Sequence, residues 1–212
     1  MTAKASGRRW QRRPDERPRA LMASAMKLLL ERGYGRVGLD EVAADAGVSK
    51  ATIYHYFSSK DDLLTQSLSQ RMAERRGAIE RQLAAEGGPA GDRLRTFLID
   101  FWNRAVTPQA GLWQQMLTTE IAADAPEVFA AWARGVVARW RSVERLIREG
   151  QRRGEFCRDV NARIAARSVL SALSYQALHH VHFRMHRYAP YASTRLCSAI
   201  IDEFLRGLRR SS

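Results

Sequence analysis

Apolar side chains recur at intervals of three and four residues along most of this 212-residue chain. A segment with that spacing forms a helix whose apolar face must pack against other helices. No segment shows the alternation of apolar and polar residues that is typical of a half-buried strand. The pattern therefore predicts an all-α protein.

The composition is that of a folded protein with a strong preference for anionic partners. Hydrophobic residues make up 45% of the chain, charged residues 27%, and the formal net charge is +13. Such a charge favours polyanions but does not separate DNA from RNA or a membrane surface. The longest apolar runs, such as residues 28–30, are too short to cross a bilayer. We therefore expect a cytoplasmic protein with no membrane partner.

The first 17 residues differ from the rest of the chain. Residues 1–17 are basic, contain Pro14 and show no apolar periodicity, which predicts a flexible arm. Basic arms beside DNA-binding domains enter the minor groove. A solubilising tail is the other interpretation of this segment.

Residues 39–57 contain two short helical segments that meet at Gly47. Glycine can take the positive φ that a tight turn between two helices requires. Val42, Val48 and Ile53 are then expected to point inward. This is the pattern of a helix-turn-helix, whose second helix enters the major groove of DNA.

The outer face of the second helix carries side chains that suit DNA recognition. Lys50 can donate to guanine or phosphate, and Thr52 offers both a hydroxyl and a methyl group. Tyr54 and His55 can reach the DNA backbone or base edges. Lys60, at the head of the next helix, is placed for a phosphate. The predicted DNA-contacting residues are Lys50, Ala51, Thr52, Tyr54, His55 and Lys60.

The stretch from Ala20 to Leu64 resembles the DNA-binding domain of the TetR family of transcriptional regulators. The matching motifs are, in order, Gly33-Tyr34-Gly35, Val42-Ala43, Ala46-Gly47-Val48-Ser49, Thr52-Ile53-Tyr54-His55-Tyr56-Phe57 and Lys60-Asp61-Asp62-Leu63-Leu64. One position departs from the family pattern. Gly38 stands where the family usually has Thr or Ser, so its side chain cannot supply a phosphate contact.

The resemblance implies about nine helices in two domains. These are a three-helix DNA-binding domain at residues 18–64 and a helical effector-binding and dimerisation domain at residues 65–212. It also implies a homodimer joined through the last two helices, which are apolar enough to favour a four-helix interface. The predicted interface residues are Leu173, Leu178, Ile200, Ile201, Phe204 and Leu205.

The function implied is that of a ligand-responsive repressor. A dimer would bind a palindromic double-stranded DNA operator, and a small-molecule effector would release it. A transcriptional activator or a non-specific architectural DNA-binding protein are the alternatives. The chain has no nucleophile elbow, Walker A motif or glycine-rich dinucleotide turn, so we expect neither an enzyme nor a cofactor.

An effector pocket is expected in the C-terminal domain, although the same residues suit the core of a helical bundle. The candidate pocket residues are Trp102, Trp113, Met116, Glu120, Phe129, Trp132 and Trp140.

Histidines and cysteines suggest two further sites, neither of which has a complete set of ligands or partners. His179, His182 and His186 share one helical face, as a Zn²⁺ site would require, but no carboxylate or cysteine occurs at matching spacing. Loop or interface histidines are the default interpretation, and no metal is predicted. Cys157 and Cys197 lack CxxC spacing and are interpreted as free thiols.

Overall fold

The computed structural model describes residues 16–85, 87–181, 183 and 193–209, and every regular element in these ranges is helical. The N-terminal part contains α1 (Glu16–Arg32), a 3-10 turn (Tyr34–Arg36), α2 (Leu39–Asp45), α3 (Lys50–Tyr56) and α4 (Lys60–Ala85). It is followed by α5 (Ala90–Ala105), α6 (Pro108–Met116), a π-helical turn (Leu117–Ile121), α7 (Ala122–Asp124), α8 (Pro126–Arg152), α9 (Ala162–Val181) and α10 (Ser193–Leu208).

The helix count agrees with the prediction. Since the π-helical turn joins α6 directly to α7, the ten helices of the described ranges form nine rods. The all-α class and the number of about nine helices are therefore confirmed. Within these ranges, no helix combines the length and the apolar character needed to span a lipid bilayer.

Short-range signals set most of the helix ends. The Ser49 hydroxyl accepts a hydrogen bond from the Thr52 backbone N–H, and Thr107 caps α6 in the same way through the N–H of Ala110. Gly33, at φ +83°, lies where α1 gives way to the 3-10 turn. Each of these residues follows a known preference for helix ends.

The first helix begins earlier than the sequence pattern suggests. Residues 1–15 of the predicted arm lie outside the described residues, but Glu16 and Arg17 already belong to α1. Pro18 is compatible with this start because the first turn of a helix does not use its N–H groups for internal hydrogen bonds.

One hydrophobic core lies under the helix-turn-helix and extends beyond it. Leu21, Ile53 and Phe57 are fully buried there, together with Leu117 and Ile121 from the π-helical turn. The predicted domain boundary between residues 64 and 65 falls inside α4. The DNA-binding part is therefore packed onto the rest of the chain rather than joined to it by a linker.

A second core fills the bundle formed by α4, α5, α8, α9 and α10. Its largest fully buried side chains are Phe97 and Trp102 of α5, and Leu173 of α9 and Ile201 of α10 are also completely enclosed. Helix α4 makes its most extensive contact with α8, and both reach from the first core into the second. The α4–α8 pair therefore connects the two parts of the molecule.

Candidate nucleic-acid interface

The turn between α2 and α3 has the geometry that the sequence predicts. Gly47 has φ +67°, and the Val48 N–H donates to the Ala43 carbonyl over 3.0 Å. Val42 and Ile53 are buried in the first core, and Val48 packs against it. These contacts fix one face of α3 to the protein and leave the other face outward.

The side chains predicted to contact DNA lie mainly on that outer face. Lys50, Ala51, Tyr54 and His55 are exposed, and Tyr54 keeps 56% of its surface accessible. Thr52 is half-buried, and its Oγ1 lies 2.8 Å from the Ser49 Oγ at the start of the helix. Their contact with nucleobases stays a prediction.

Lys50 already has an anionic partner in the free protein. Its Nζ donates to the Asp40 Oδ2 over 2.7 Å, and both side chains are well exposed. The hydrogen bond to Asp40, and then its charge, raise the pKa of Lys50, so the lysine is cationic at neutral pH. Asp40 and Lys50 thus present a bound ion pair at the leading end of α3.

Lys60 is held against the protein rather than extended into solvent. Its Nζ donates to the Tyr34 carbonyl over 3.0 Å and lies 3.7 Å from the centre of the Tyr34 ring. The Tyr34 hydroxyl in turn donates to the Asp61 carboxylate over 2.5 Å. A phosphate contact by Lys60 would require it to leave Tyr34.

The start of α2 is stabilised without a side-chain cap at its first position. Gly38 has an extended backbone, and its N–H donates to the Glu41 Oε2 over 3.0 Å. This is half of a capping box, in which the third helical residue reaches back to the cap. Gly38 itself offers no side chain to a phosphate, as predicted.

The six apolar candidate pocket residues are divided between the two cores. Trp102 and Trp140 belong to the second core, whereas Trp113, Met116, Phe129 and Trp132 belong to the first. Their part in an effector pocket stays a prediction. The alternative interpretation, the cores of a helical bundle, accounts for the six apolar residues.

Glu120, the polar candidate for the pocket, makes a hydrogen bond to the DNA-binding part of the chain. Its Oε2 accepts a hydrogen bond of 2.9 Å from the Tyr34 backbone N–H, just after the end of α1. The π-helical turn thus places a carboxylate on the DNA-binding part of the chain. The sequence separation of 86 residues left no local signal for this contact.

The predicted dimer interface divides into two groups. Leu173, Ile201 and Leu205 are enclosed in the core of the single chain, and their part in an interface stays a prediction. Leu178, Ile200 and Phe204 are half-buried and keep part of their surface accessible. The sequence analysis missed Ile164 and Tyr175, which lie on α9 with 61% and 58% of their surfaces exposed.

The histidine and cysteine candidates give no metal or redox site in the described part of the chain. His182 and His186 lie outside the described residues, and His179 packs against Tyr175, with ring centroids 4.0 Å apart. No group of three metal-ligating side chains occurs among the described residues. Cys197 is buried, and desolvation raises the pKa of its thiol, which is the opposite of activation.

Comparisons with known proteins agree with this geometry. Residues 21–66, from α1 into α4, match the family model described as bacterial regulatory proteins, tetR family. The regulator EthR of Mycolicibacterium smegmatis is 27% identical over 59% of this chain and 56% of its own length. The transcriptional activator FasR of the same organism is 42% identical over 31% of this chain and 30% of its own. The chain thus spans about half the length of the first of these relatives and less of the second.

Solved structures extend the likeness in fold to nearly the whole chain. The regulator FadR from Bacillus subtilis, solved in complex with stearoyl-CoA, superimposes with a TM-score of 0.72 at 19% identity, covering 90% of this chain and 99% of its own. At that identity the likeness shows the fold alone. The helix-turn-helix geometry and the matched residues 21–66 together show that the N-terminal part of this chain is similar to the DNA-binding domain of the tetR family of bacterial regulatory proteins.

Proposed function

We propose that the protein is a transcriptional regulator that binds a palindromic operator as a homodimer and is released by a small-molecule effector. The observation that carries the proposal is the exposed outer face of α3, with Lys50, Tyr54 and His55, inside a domain that matches the family model. A helix presented in this way fits the major groove. The protein would act in the cytoplasm, together with the DNA that it binds.

The exposed apolar side chains of α9 support a dimer. Ile164 and Tyr175 are large hydrophobic residues that the single chain leaves open to water. Association through α9 and α10 would cover them. The half-buried Leu178, Ile200 and Phe204 lie on the same two helices. A two-fold dimer presents two copies of α3, which is why the operator is expected to be palindromic.

The contact between the π-helical turn and the first core supports effector control. Leu117 and Ile121 are buried under the helix-turn-helix, and Glu120 is bonded to Tyr34. An effector that moved α6 or α8 would therefore shift α1 and α4 as well. It would release DNA only if it bound the DNA-free arrangement more tightly than the DNA-bound one.

Repression is the direction of control that we propose, with activation as the second candidate. The activation reading is favoured by one relative, since FasR is named as a transcriptional activator and its likeness lies in the DNA-binding region. A non-specific architectural role would use the same basic surface without sequence preference.

Selection of bound fragments from genomic DNA, followed by footprinting, tests the proposal. The expected result is one protected palindrome, with the two half-sites about one helical turn or a multiple of it apart. Transcription from that fragment should fall when the purified protein is added. A rise in transcription would replace repression with activation, and uniform coating of all fragments would contradict the operator proposal.

A further inference from the structure

Three arginines from different helices converge beside the second core. Arg75 lies on α4, Arg104 on the last turn of α5 and Arg139 on α8. They are close enough for their charges to act on one another, because Arg75 and Arg104 both lower the pKa of Arg139. We call these three residues the arginine cluster.

The arginine cluster has too few acidic partners within the described residues. Arg104 is paired with Asp100 on its own helix. Arg75 and Arg139 make no ion pair and no hydrogen bond to any part of the chain that the structure describes. Arg139 lies over the ring of Phe101, with 5.2 Å to its centre. Such a ring contacts the face of a guanidinium and leaves its N–H edge unused.

The position of the Arg139 charge is unfavourable in the absence of an anion. Desolvation lowers the pKa of Arg139 to about 10 and also lowers the pKa of Arg75. Both side chains stay cationic at neutral pH. Arg139 is half-buried without an acidic partner among the described residues, whereas Arg75 beside it is exposed and experiences the charge of Asp100. A cation in such a place is stabilised when an anion with hydrogen-bond acceptors comes to lie beside it.

A cavity beside Arg75 and Arg139 adjoins an open groove. A small cavity of about 10 Å³ is lined by Arg75, Arg139 and Gly135, among others, and Ser142 lines both this cavity and a groove of about 400 Å³. The groove is also lined by four arginines, among them Arg152 of α8, and by two glutamates, Glu80 and Glu149, which are ion-paired with Arg145 and Arg93. With four arginines and two glutamates, the groove keeps a net positive charge, which attracts anions.

We propose that the arginine cluster binds the oxyanion group of the effector, a carboxylate or a phosphate ester. This rests on the proposed function, since it assigns the chemical class of the molecule that controls DNA binding. Guanidinium groups bind carboxylate and phosphate oxygens through paired N–H donors. Arg139 and Arg75 would supply the N–H donors. Contact with the Phe101 ring would hold the Arg139 guanidinium in one orientation.

Inorganic phosphate and acetate are the probes, with chloride at equal ionic strength as the reference. Calorimetric titration and thermal unfolding are measured for the wild type, Arg139→Met and Arg75→Met. Arg134→Met is the matched control, because Arg134 is an exposed arginine on the same helix. We expect phosphate or acetate to raise Tm in the wild type and in Arg134→Met, with binding at least about 10-fold weaker in the other two variants.

The pattern of responses identifies the source of the oxyanion. A response to phosphate alone assigns a phosphate ester, and a response to acetate alone assigns a carboxylate. Equal responses in Arg139→Met and Arg134→Met would mean an adventitious ion only and would overturn the proposal. No response beyond chloride in the wild type would overturn it as well.

Two further measurements separate this proposal from a structural role and from the proposed function. Without added anion, Arg139→Met should resist urea at least as well as the wild type, because it removes an unpaired, partly enclosed charge. Loss of stability without loss of anion binding would make Arg139 structural and overturn the proposal. Arg139→Met should also bind operator DNA normally when no anion is present. If the wild type did not bind duplex DNA, the proposed function as a regulator would be contradicted. The anion titration would still show whether the arginine cluster binds an oxyanion.

Discussion

At the scale of single residues, the positive charge that the protein presents to DNA depends on which lysines are already bonded to other groups of the protein. Lys50 reaches the outer face of α3 but is bonded to Asp40. Lys60 is bonded to Tyr34 and covers its ring. Asp40 therefore reduces the positive charge that α3 presents, and this gives a direct test of the interface.

Replacing Asp40 by Asn should strengthen DNA binding. The change removes a negative charge beside the expected phosphates and frees Lys50 to contact them. We expect affinity for duplex DNA to rise several-fold, and the slope of log affinity against log salt to steepen by about 0.9, the value for one more phosphate contact. Fluorescence anisotropy at several salt concentrations measures both quantities.

Asp45→Asn is the matched control for that experiment. Asp45 is also paired with a lysine, Lys27, over 2.7 Å, but this pair joins α1 to the C-terminal end of α2. The same change of charge there should leave the salt slope unaltered. Equal effects of the two substitutions would mean that only net charge matters, which would contradict the assignment of Lys50 to the interface.

The exposure of a side chain could be predicted where its environment is local, but contacts between distant parts of the chain could not. Lys50 and Tyr54 follow from the turn at Gly47 and the cap at Ser49, all within eight residues. Lys60 contacts Tyr34, 26 positions earlier, and this contact depends on how α1 packs against α4. No spacing rule within one helix carries that information.

At the scale of elements, a single carboxylate, that of Glu120, joins the π-helical turn to the end of α1. Glu120→Ala should leave the Tyr34 N–H without its acceptor, at a cost of about 1–3 kcal/mol for an unsatisfied, partly buried group. The amide of Tyr34 should then exchange with deuterium faster. Thr119→Ala, an exposed change on the same turn, should not alter this exchange. Equal exchange rates in Glu120→Ala and the wild type would show that Glu120 does not hold the end of α1.

Two helical glycines should respond to alanine in opposite directions. A methyl group at Gly150 would lie 2.3 Å from the Phe156 ring, whereas at Gly207 it would meet nothing within 4 Å. We expect Gly150→Ala to lower the free energy of unfolding by about 1–3 kcal/mol through overpacking. Gly207→Ala should raise it by about 0.5–1 kcal/mol because alanine loses less backbone entropy. Urea unfolding measures both, and stabilisation by Gly150→Ala would contradict the packing of Phe156 against α8.

The helix ends were predictable because their signals lie within a few residues of each other. Ser49, Thr107 and Gly33 are of this kind. The division of apolar residues between the two cores could not be predicted, because Trp102 and Trp132 both lie on apolar faces with the same helical spacing. Only the packing of α8 and the π-helical turn decides which core each one enters.

At the scale of the whole molecule, the exposed side chains of α9 predict association. Tyr175→Arg would place a charge in the proposed four-helix interface and should weaken the dimer on the order of 100-fold. Sedimentation should then show mainly monomer at concentrations where the wild type is dimeric. Ile99→Arg is the control, because Ile99 is an exposed apolar residue on α5. A dimer that persists in Tyr175→Arg would exclude this face of α9 as the interface.

The most direct test of the regulator is the affinity of one double variant for the operator fragment recovered by selection. Lys50→Ala combined with Tyr54→Ala removes the two largest exposed side chains from the outer face of α3 without altering its buried face. The proposed recognition helix predicts that anisotropy will show binding at least about 100-fold weaker, since each lost base or phosphate contact costs on the order of 1–3 kcal/mol. Sedimentation should show an unchanged dimer. Specific binding at wild-type affinity by a folded, dimeric double variant would contradict the account.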